Sequence, residues 1–280
     1  MRLRTKNCNN GCPVGDDNKP HVKFSALMVV CNETRHLEEA LRSIRWCDEV
    51  VVVDVGHNHI PRGISLCNAD RVLDHPWVGV AEEVREWAVA QLQNDWVVIL
   101  DPDEVFPAAA VPEILGILNE DPDCAAVQLR FDYYFCRKPL NCCMWRGVWI
   151  SRIVHRRRVR FSSVIHSPME VLGKTYRLPN TNSYAVKHYW KDSVTDLFRS
   201  HLRYIQLEGS GRYACGLRFS WIKMIREAWS MFRYNFISTR GCFGGWKGWF
   251  LSFFMTWYEA ASWFSLLRYE QRARRNNTSA

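Results

Sequence analysis

Apolar and polar positions fall into short alternating blocks along the first two thirds of the chain. Phe24 to Val30 is an apolar run with β-branched members, and Leu37, Ala40, Leu41 and Ile44 follow it at helical spacing. Glu49 to Val53 reads as a buried strand that ends in Asp54, and Val55-Gly56-His57-Asn58 supplies turn chemistry after it. Arg71 to Leu73 predicts a third strand, and Val80 to Leu92 a helix with Val84, Ala88 and Leu92 on one face. Trp96 to Leu100 is a further strand that runs directly into Asp101-Pro102-Asp103-Glu104. A helix from Pro112 through Leu118, a strand from Ala125 to Tyr134, and extended segments over Gly147 to Arg160 and Arg177 to Trp190 complete this part.

Strands that alternate with helices imply an α/β fold with a mainly parallel sheet, whose ligand crevice lies beyond the strands' C-terminal ends. Asn32, Asp54 and the acidic run 101–104 all fall on that edge. An isolated D-P-D-E is an ordinary solvated turn. Three separate elements ending in polar residues at one edge favour a site instead, because carboxylates gathered there repel one another unless a divalent cation and a phosphate share the space.

From Val194 onward the pattern changes to long aromatic helices. Trp221 to Phe236 mixes basic with aromatic residues, and Gly241 to Leu267 is strongly apolar with glycines at 241, 244, 245 and 248. Trp249 to Leu267 has nearly the length of a membrane span, but Glu259 interrupts it and Ser252, Thr256 and Ser262 dilute it. An interfacial segment fits better, with Trp246, Trp249, Trp257, Tyr258 and Trp263 at headgroup depth, and a helix buried against the rest of the protein is the competing reading. These shifts divide the chain into a polar leader over 1–22, an α/β domain over 23–190 and a helical region over 191–280.

Composition adds constraints. At 280 residues with 48% hydrophobic and 24% charged positions the chain is globular. Eleven cysteines in no regular framework, with no secretory signal, imply reduced thiols in a cytoplasmic setting. Cys8 and Cys12, or Cys142 and Cys143, lack a second pair at zinc-ligand spacing. The formal charge of +8 is concentrated in clusters at Arg152 to Arg160 and Arg268 to Arg275. Such clusters suit phosphorylated ligands or anionic lipid; no helix-turn-helix, zinc-finger or RNA-binding signature accompanies them, which disfavours nucleic acid.

With these landmarks placed, the stretch from about Ser25 to Trp190 resembles the family 2 glycosyltransferases of GT-A fold, in particular their lipopolysaccharide core glucosyltransferase-like branch. Val30-Cys31-Asn32-Glu33-Thr34, Val51-Val52-Val53-Asp54-Val55-Gly56 and the D-x-D-E of Asp101 to Glu104 carry the resemblance in order and spacing. Arg152-Ile153-Val154, Ile165-His166 and Lys187-His188-Tyr189 are weaker matches. The resemblance implies a GT-A catalytic domain with a membrane-associating helical appendage, working on a nucleotide diphosphate sugar, expected to be a UDP-sugar, and a glycan or lipid-linked acceptor at the inner face of the membrane.

Transfer of the sugar builds negative charge on the departing diphosphate, and Mg²⁺ or Mn²⁺ held by carboxylates offsets it. Asp103 is the first expected metal ligand, with Asp101 and His188 beside it and Glu104 supporting the pair. Asn32, Glu33, Asp54, Arg85, Asp101 and Arg152 are the expected donor contacts. An inverting reaction also needs a base for the acceptor hydroxyl. The family's glutamate after histidine is Ser167 here, which leaves Glu170, His166 and Asp132, in that order, as substitutes. That departure keeps open a noncatalytic binding or scaffolding protein on the same fold. A sugar-phosphate nucleotidyltransferase shares the α/β plan but would want a glycine-rich basic loop where Asn32-Glu33-Thr34-Arg35 stands.

Overall fold

The computed structural model describes residues 22–32, 35–76, 82–161 and 169–278. The leader to residue 21, Glu33, His166 and Ser167 lie outside them.

Four parallel strands form one half of the main sheet, β1 (Phe24–Val30), β2 (Glu49–Asp54), β3 (Arg71–Asp74) and β4 (Trp96–Ile99), in the order β3-β2-β1-β4. Their connections are α1 (Leu37–Ser43), α2 (His59–Asn68) and α3 (Glu82–Ala90). Side chains alternate between two cores, as a strand's period of two requires. Ala26, Met28, Val50, Val52 and Val98 enter one core, while Leu27, Val51, Val53, Val97 and Ile99 enter the other beside Val84, Ala88 and Leu92. Both faces are covered, which is why these strands read as continuous apolar runs.

The other half is mixed. After β5 (Glu104–Val105) and α4 (Val111–Glu120) come β6 (Cys124–Phe135), the short β7 (Lys138–Leu140), β8 (Val148–His155), β9 (Val159–Arg160), β10 (Glu170–Val171), β11 (Lys174–Arg177) and β12 (Val186–Lys191). The path continues from β4 through β8, β6 and β12 to β5, with β8 antiparallel to both β4 and β6. Five Cα steps from Ile99 to Glu104 reach at most about 18 Å, whereas four strand spacings across a flat sheet need about 19 Å. The Glu104 amide also donates to the Asp101 carbonyl at 3.0 Å, so the link is a turn and much shorter than that limit. The sheet therefore curls until β12 and β5 stand near the end of β4.

Helix α2 has no counterpart in the apolar pattern, since Pro61 and Gly63 interrupt it. Its first turn tolerates Pro61, whose missing N–H would have had no partner there, and Asn58 caps it by accepting from the Ile60 amide at 3.4 Å.

The C-terminal region consists of α5 (Val194–Ala214), α6 (Trp221–Arg233), a π-helical turn over Tyr234–Ser238, and α7 (Gly245–Thr278). Leu251, Phe254 and Met255 of α7 join the core beneath β6, so α7 packs on the sheet half it follows. No helix among the described residues is long and apolar enough to cross a membrane. Glu259, which interrupts the apolar run, receives a two-pronged ion pair from Arg212 of α5 at 2.9 and 3.0 Å. A carboxylate inside this helix is thus half of a clamp between α5 and α7.

Candidate active site

The acidic run sits where β4 ends and the curled sheet returns. Its placement rests on long-range pairing: Glu104 on β5 is in register with His188 on β12, and the Tyr189 amide donates to the Asp103 carbonyl at 2.8 Å. His188 consequently stands between two acids, Nε2 at 3.4 Å from Asp103 Oδ2 and Nδ1 at 3.6 Å from Glu104 Oε1. The Tyr133 ring lies against it, centroids 4.7 Å apart.

Glu104 is fully buried. Arg152, on β8, donates through one Nη to both Glu104 and Asp101, the latter at 2.9 Å, and its guanidinium lies over the Phe131 ring. The second Glu104 oxygen accepts from the Asp101 amide at 3.1 Å. Burial pushes the Glu104 carboxyl up to about 7, with Arg152 pulling the other way. Burial opposes charge on His188 as well, but Asp103 and Glu104 raise its pKa above the ordinary histidine value. Tyr133 is driven up to about 12, chiefly by burial and then by Glu104.

Asp101 differs from the expectation of a metal ligand. Its oxygens accept from Arg85 of α3 at 3.0 Å and from Arg152. Partial burial works against its charge, yet Arg152 and Arg85 together hold its pKa below the usual carboxylate range. In this arrangement Asp101 gathers two arginines rather than offering lone pairs to a cation. Arg152 differs likewise from the expected phosphate contact, since its guanidinium is buried between Asp101 and Glu104.

Asp54 lies two strand positions away across β1. It is buried and fully engaged: one oxygen accepts from the Gly56 and His57 amides at 3.1 and 2.8 Å, the other from Arg62 at 3.1 Å. Asp54 thus caps the loop after β2. Arg62 also pairs with Asp74. Asp54, His57 and Asp74 bring ligand atoms within 4.8 Å of one another, and the Arg62 guanidinium already supplies the cation there. Gly56 is required because a Cβ there would come within 1.8 Å of the Cys31 carbonyl oxygen. Gly56→Ala is expected to destabilise the protein by about 1–3 kcal/mol through overpacking of two backbones, measured as a lowered urea midpoint.

The remaining candidates scatter. Asn32 is exposed at the end of β1, within 3.3 Å of the Cys31 sulfur. Glu170 is on a separate two-stranded ribbon of β9 and β10, its carboxylate 3.8 Å from Arg160, and belongs to that ribbon rather than to the Asp103 cluster. Asp132 pairs with Arg130 at 3.0 Å. Sequence reasoning missed Lys191, at the end of β12, where burial lowers its pKa and Asp103 pulls it back up. A lysine one turn of pattern beyond Lys187-His188-Tyr189 carried no signal until β12 was paired.

No family model matches the chain. Over 109 residues it is 28% identical to the lipopolysaccharide core biosynthesis glycosyltransferase LpsC of Rhizobium meliloti, covering 36% of this chain and 40% of that protein. Over 93 residues it is 30% identical to an uncharacterized glycosyltransferase of Rickettsia bellii, covering 33% and 31%. These similarities support a relationship to glycosyltransferases. The chain matches less than half the length of either relative. Among solved structures, glucosyl-3-phosphoglycerate synthase from Mycobacterium tuberculosis, in complex with Mn²⁺, UDP and glucosyl-3-phosphoglycerate, superposes on 42% of this chain and 46% of its own, with 22% identity and a TM-score of 0.35.

The residues present do fit a divalent cation at one point. Asp103 is one-third exposed and His188 faces it, so an oxygen and a nitrogen donor converge beyond the end of β4. That donor pair suits Mn²⁺ completed by solvent and phosphate oxygens better than Mg²⁺, which takes oxygen ligands.

Proposed function

We propose that this chain is a metal-dependent, inverting glycosyltransferase of GT-A plan, moving a hexose from a UDP-sugar to a glycan or glycolipid acceptor in cell-surface polysaccharide synthesis, at the cytoplasmic face of the membrane. The observation that supports it most is the convergence of Asp103 and His188 over the buried Glu104–Arg152 pair at the C-terminal edge of the parallel strands.

Asp103 and His188 would hold the cation, which acts as a Lewis acid toward the leaving diphosphate. Glu104 and Arg152 fix the orientation of both ligands from beneath, Glu104 through the turn that carries Asp101 and Asp103. Lys191 supplies a further positive charge beside Asp103 for phosphate oxygens. The acceptor's proton must leave on the face opposite the diphosphate. With Glu170 on the β9–β10 ribbon and Asp132 paired to Arg130, His166 is the first residue to replace in a search for that base.

A second reading, a nucleotide-binding scaffold without turnover, draws on the engagement of Asp54 and Asp101 by arginines. Melting curves with UDP-glucose and UDP-N-acetylglucosamine, each with and without Mn²⁺, test the first. A ligand at a hundred times its Kd adds about 2.7 kcal/mol, a rise of about 5 °C for a chain of this size. The expected result is a rise that needs metal and nucleotide sugar together. If no nucleotide sugar shifts the curve with Mn²⁺ present, the proposal fails; a shift without UDP release supports the scaffold.

A further inference from the structure

Helix α7 turns the polar residues of its apolar run inward, among buried Leu251, Phe254, Trp263 and Leu266, and carries aromatic residues on its outside. Ser252 and Ser262 are 0% exposed and Glu259 9%, whereas Trp246 is 60%, Trp249 50% and Phe253 55% exposed. The inward charges are satisfied within the protein, Glu259 by Arg212 and Lys247 by the Phe135 and Lys138 carbonyls at 2.8 and 3.2 Å. The outward positions 246, 249, 253, 257 and 264 hold only Trp and Phe.

Helix α6 extends the same surface. Trp221, Ile222, Ile225 and Trp229 project from it, Ile222 being 79% exposed, while Met224 packs inward beside Trp263. The two helices present one continuous patch, because their rings touch in sequence: Trp229 to Phe232 at 5.6 Å, Phe232 to Phe253 at 5.3 Å, Phe236 to Trp249 at 4.6 Å. Apolar side chains scattered singly over a surface are ordinary, but a contiguous patch across two helices marks a contact surface.

Charge identifies what it contacts. Residues 194–278 contain thirteen Lys and Arg against five Asp and Glu, a net +8 that equals the charge of the whole chain. Lys223, Arg226 and Arg233 border the α6 strip, and Arg268 and Arg272 line a cavity of about 570 Å³ between α5 and α7 that opens beside Trp257 and Phe264. Trp is the side chain that settles at the lipid headgroup boundary, and a rim of cations around an aromatic face complements anionic headgroups.

We propose that the outer face of α6 and α7 seats this protein on an anionic bilayer surface, its aromatic rings at headgroup depth and its arginines against lipid phosphates. The inference deepens the membrane placement proposed above and stands apart from the transfer chemistry, since vesicle binding needs no donor.

The test is cosedimentation of the full chain with vesicles of phosphatidylcholine alone or mixed with phosphatidylglycerol, at low and high salt. Binding to the mixed vesicles, weakened by salt and by omission of phosphatidylglycerol, is expected. Ile225→Glu with Trp229→Glu, both on exposed positions, should lower the partition coefficient roughly tenfold or more by removing buried apolar area and adding repulsion, with an unchanged melting curve. Shallowly brominated lipids should quench tryptophan fluorescence in the parent and much less in the variant. No sedimentation with mixed vesicles at low salt, or equal binding by the folded variant, overturns the proposal. So does a vesicle-free dimer that the same substitutions dissolve while lipid binding is absent, which would assign the face to a second copy.

Discussion

Asp103→Ala is expected to lower Mn²⁺-dependent release of UDP from the preferred donor by at least about a hundredfold, the scale of losing one electrostatic contact to a developing anion. Asp103 is the partly exposed acidic side chain of the run that no arginine engages among the described residues: Glu104 is buried, and the equally exposed Asp101 gives its oxygens to Arg85 and Arg152. Its removal should also free His188 from its nearest acid, 3.4 Å away. Excess Mn²⁺ should recover part of the activity of Asp103→Asn and little of that of Asp103→Ala, since the amide keeps one oxygen donor. Initial rates of UDP release across a metal titration decide the matter. Undiminished turnover in Asp103→Ala would remove the cation from Asp103 and with it the proposed mechanism.

How much of this could be read without coordinates depended on the range over which each feature is determined. Strands β1, β2 and β4 are continuous apolar runs bounded by turn residues, so their existence and parallel order follow from local pattern and the preference for right-handed crossovers. Helix α2 escaped because its apolar content is low and Pro61 with Gly63 argues against a helix unless the proline is known to sit in the first turn. Strand β5 is two residues long and exists only because β12 pairs with it. The same long-range pairing decides the site. The crowd of carboxylates at 101–104 is visible in sequence, but nothing local indicates that Arg152 and Arg85 neutralise Asp101, or that Arg62 spans Asp54 and Asp74. In α7, Glu259, Ser252 and Ser262 read as dilution of an apolar segment. Turned inward by the fold, they leave the aromatic face undiluted.

The curl of the sheet is held at its centre by a charge pair, and that makes Arg152 the position where stability should respond most. It joins β8 to the turn after β4 and to β5, and its guanidinium lies between a fully buried carboxylate and Asp101. Arg152→Met keeps the stem over Phe131 but strands Glu104 without its counter-charge, and breaking a buried pair in this way is expected to cost about 3–5 kcal/mol. Arg152→Met combined with Glu104→Gln removes both charges while the amide oxygen can still accept from the Asp101 amide, so the double variant should regain at least half of the loss. The pH dependence has a definite sign. In the parent the Glu104 carboxyl already titrates at about 7 against an ordinary value of 4.5. A raised carboxyl favours the folded state fully below its unfolded pKa, and that contribution is lost as pH rises through the folded value. Without Arg152 the folded value climbs further, so the deficit of Arg152→Met should be small near pH 4.5 and grow through neutrality into the alkaline range. Urea unfolding of the parent and the two variants at several pH values measures this. A single variant within about 1 kcal/mol of the parent at alkaline pH, or a double variant no more stable than the single, would show that Glu104 is not held by Arg152, and that the register of β5 against β12 has another cause.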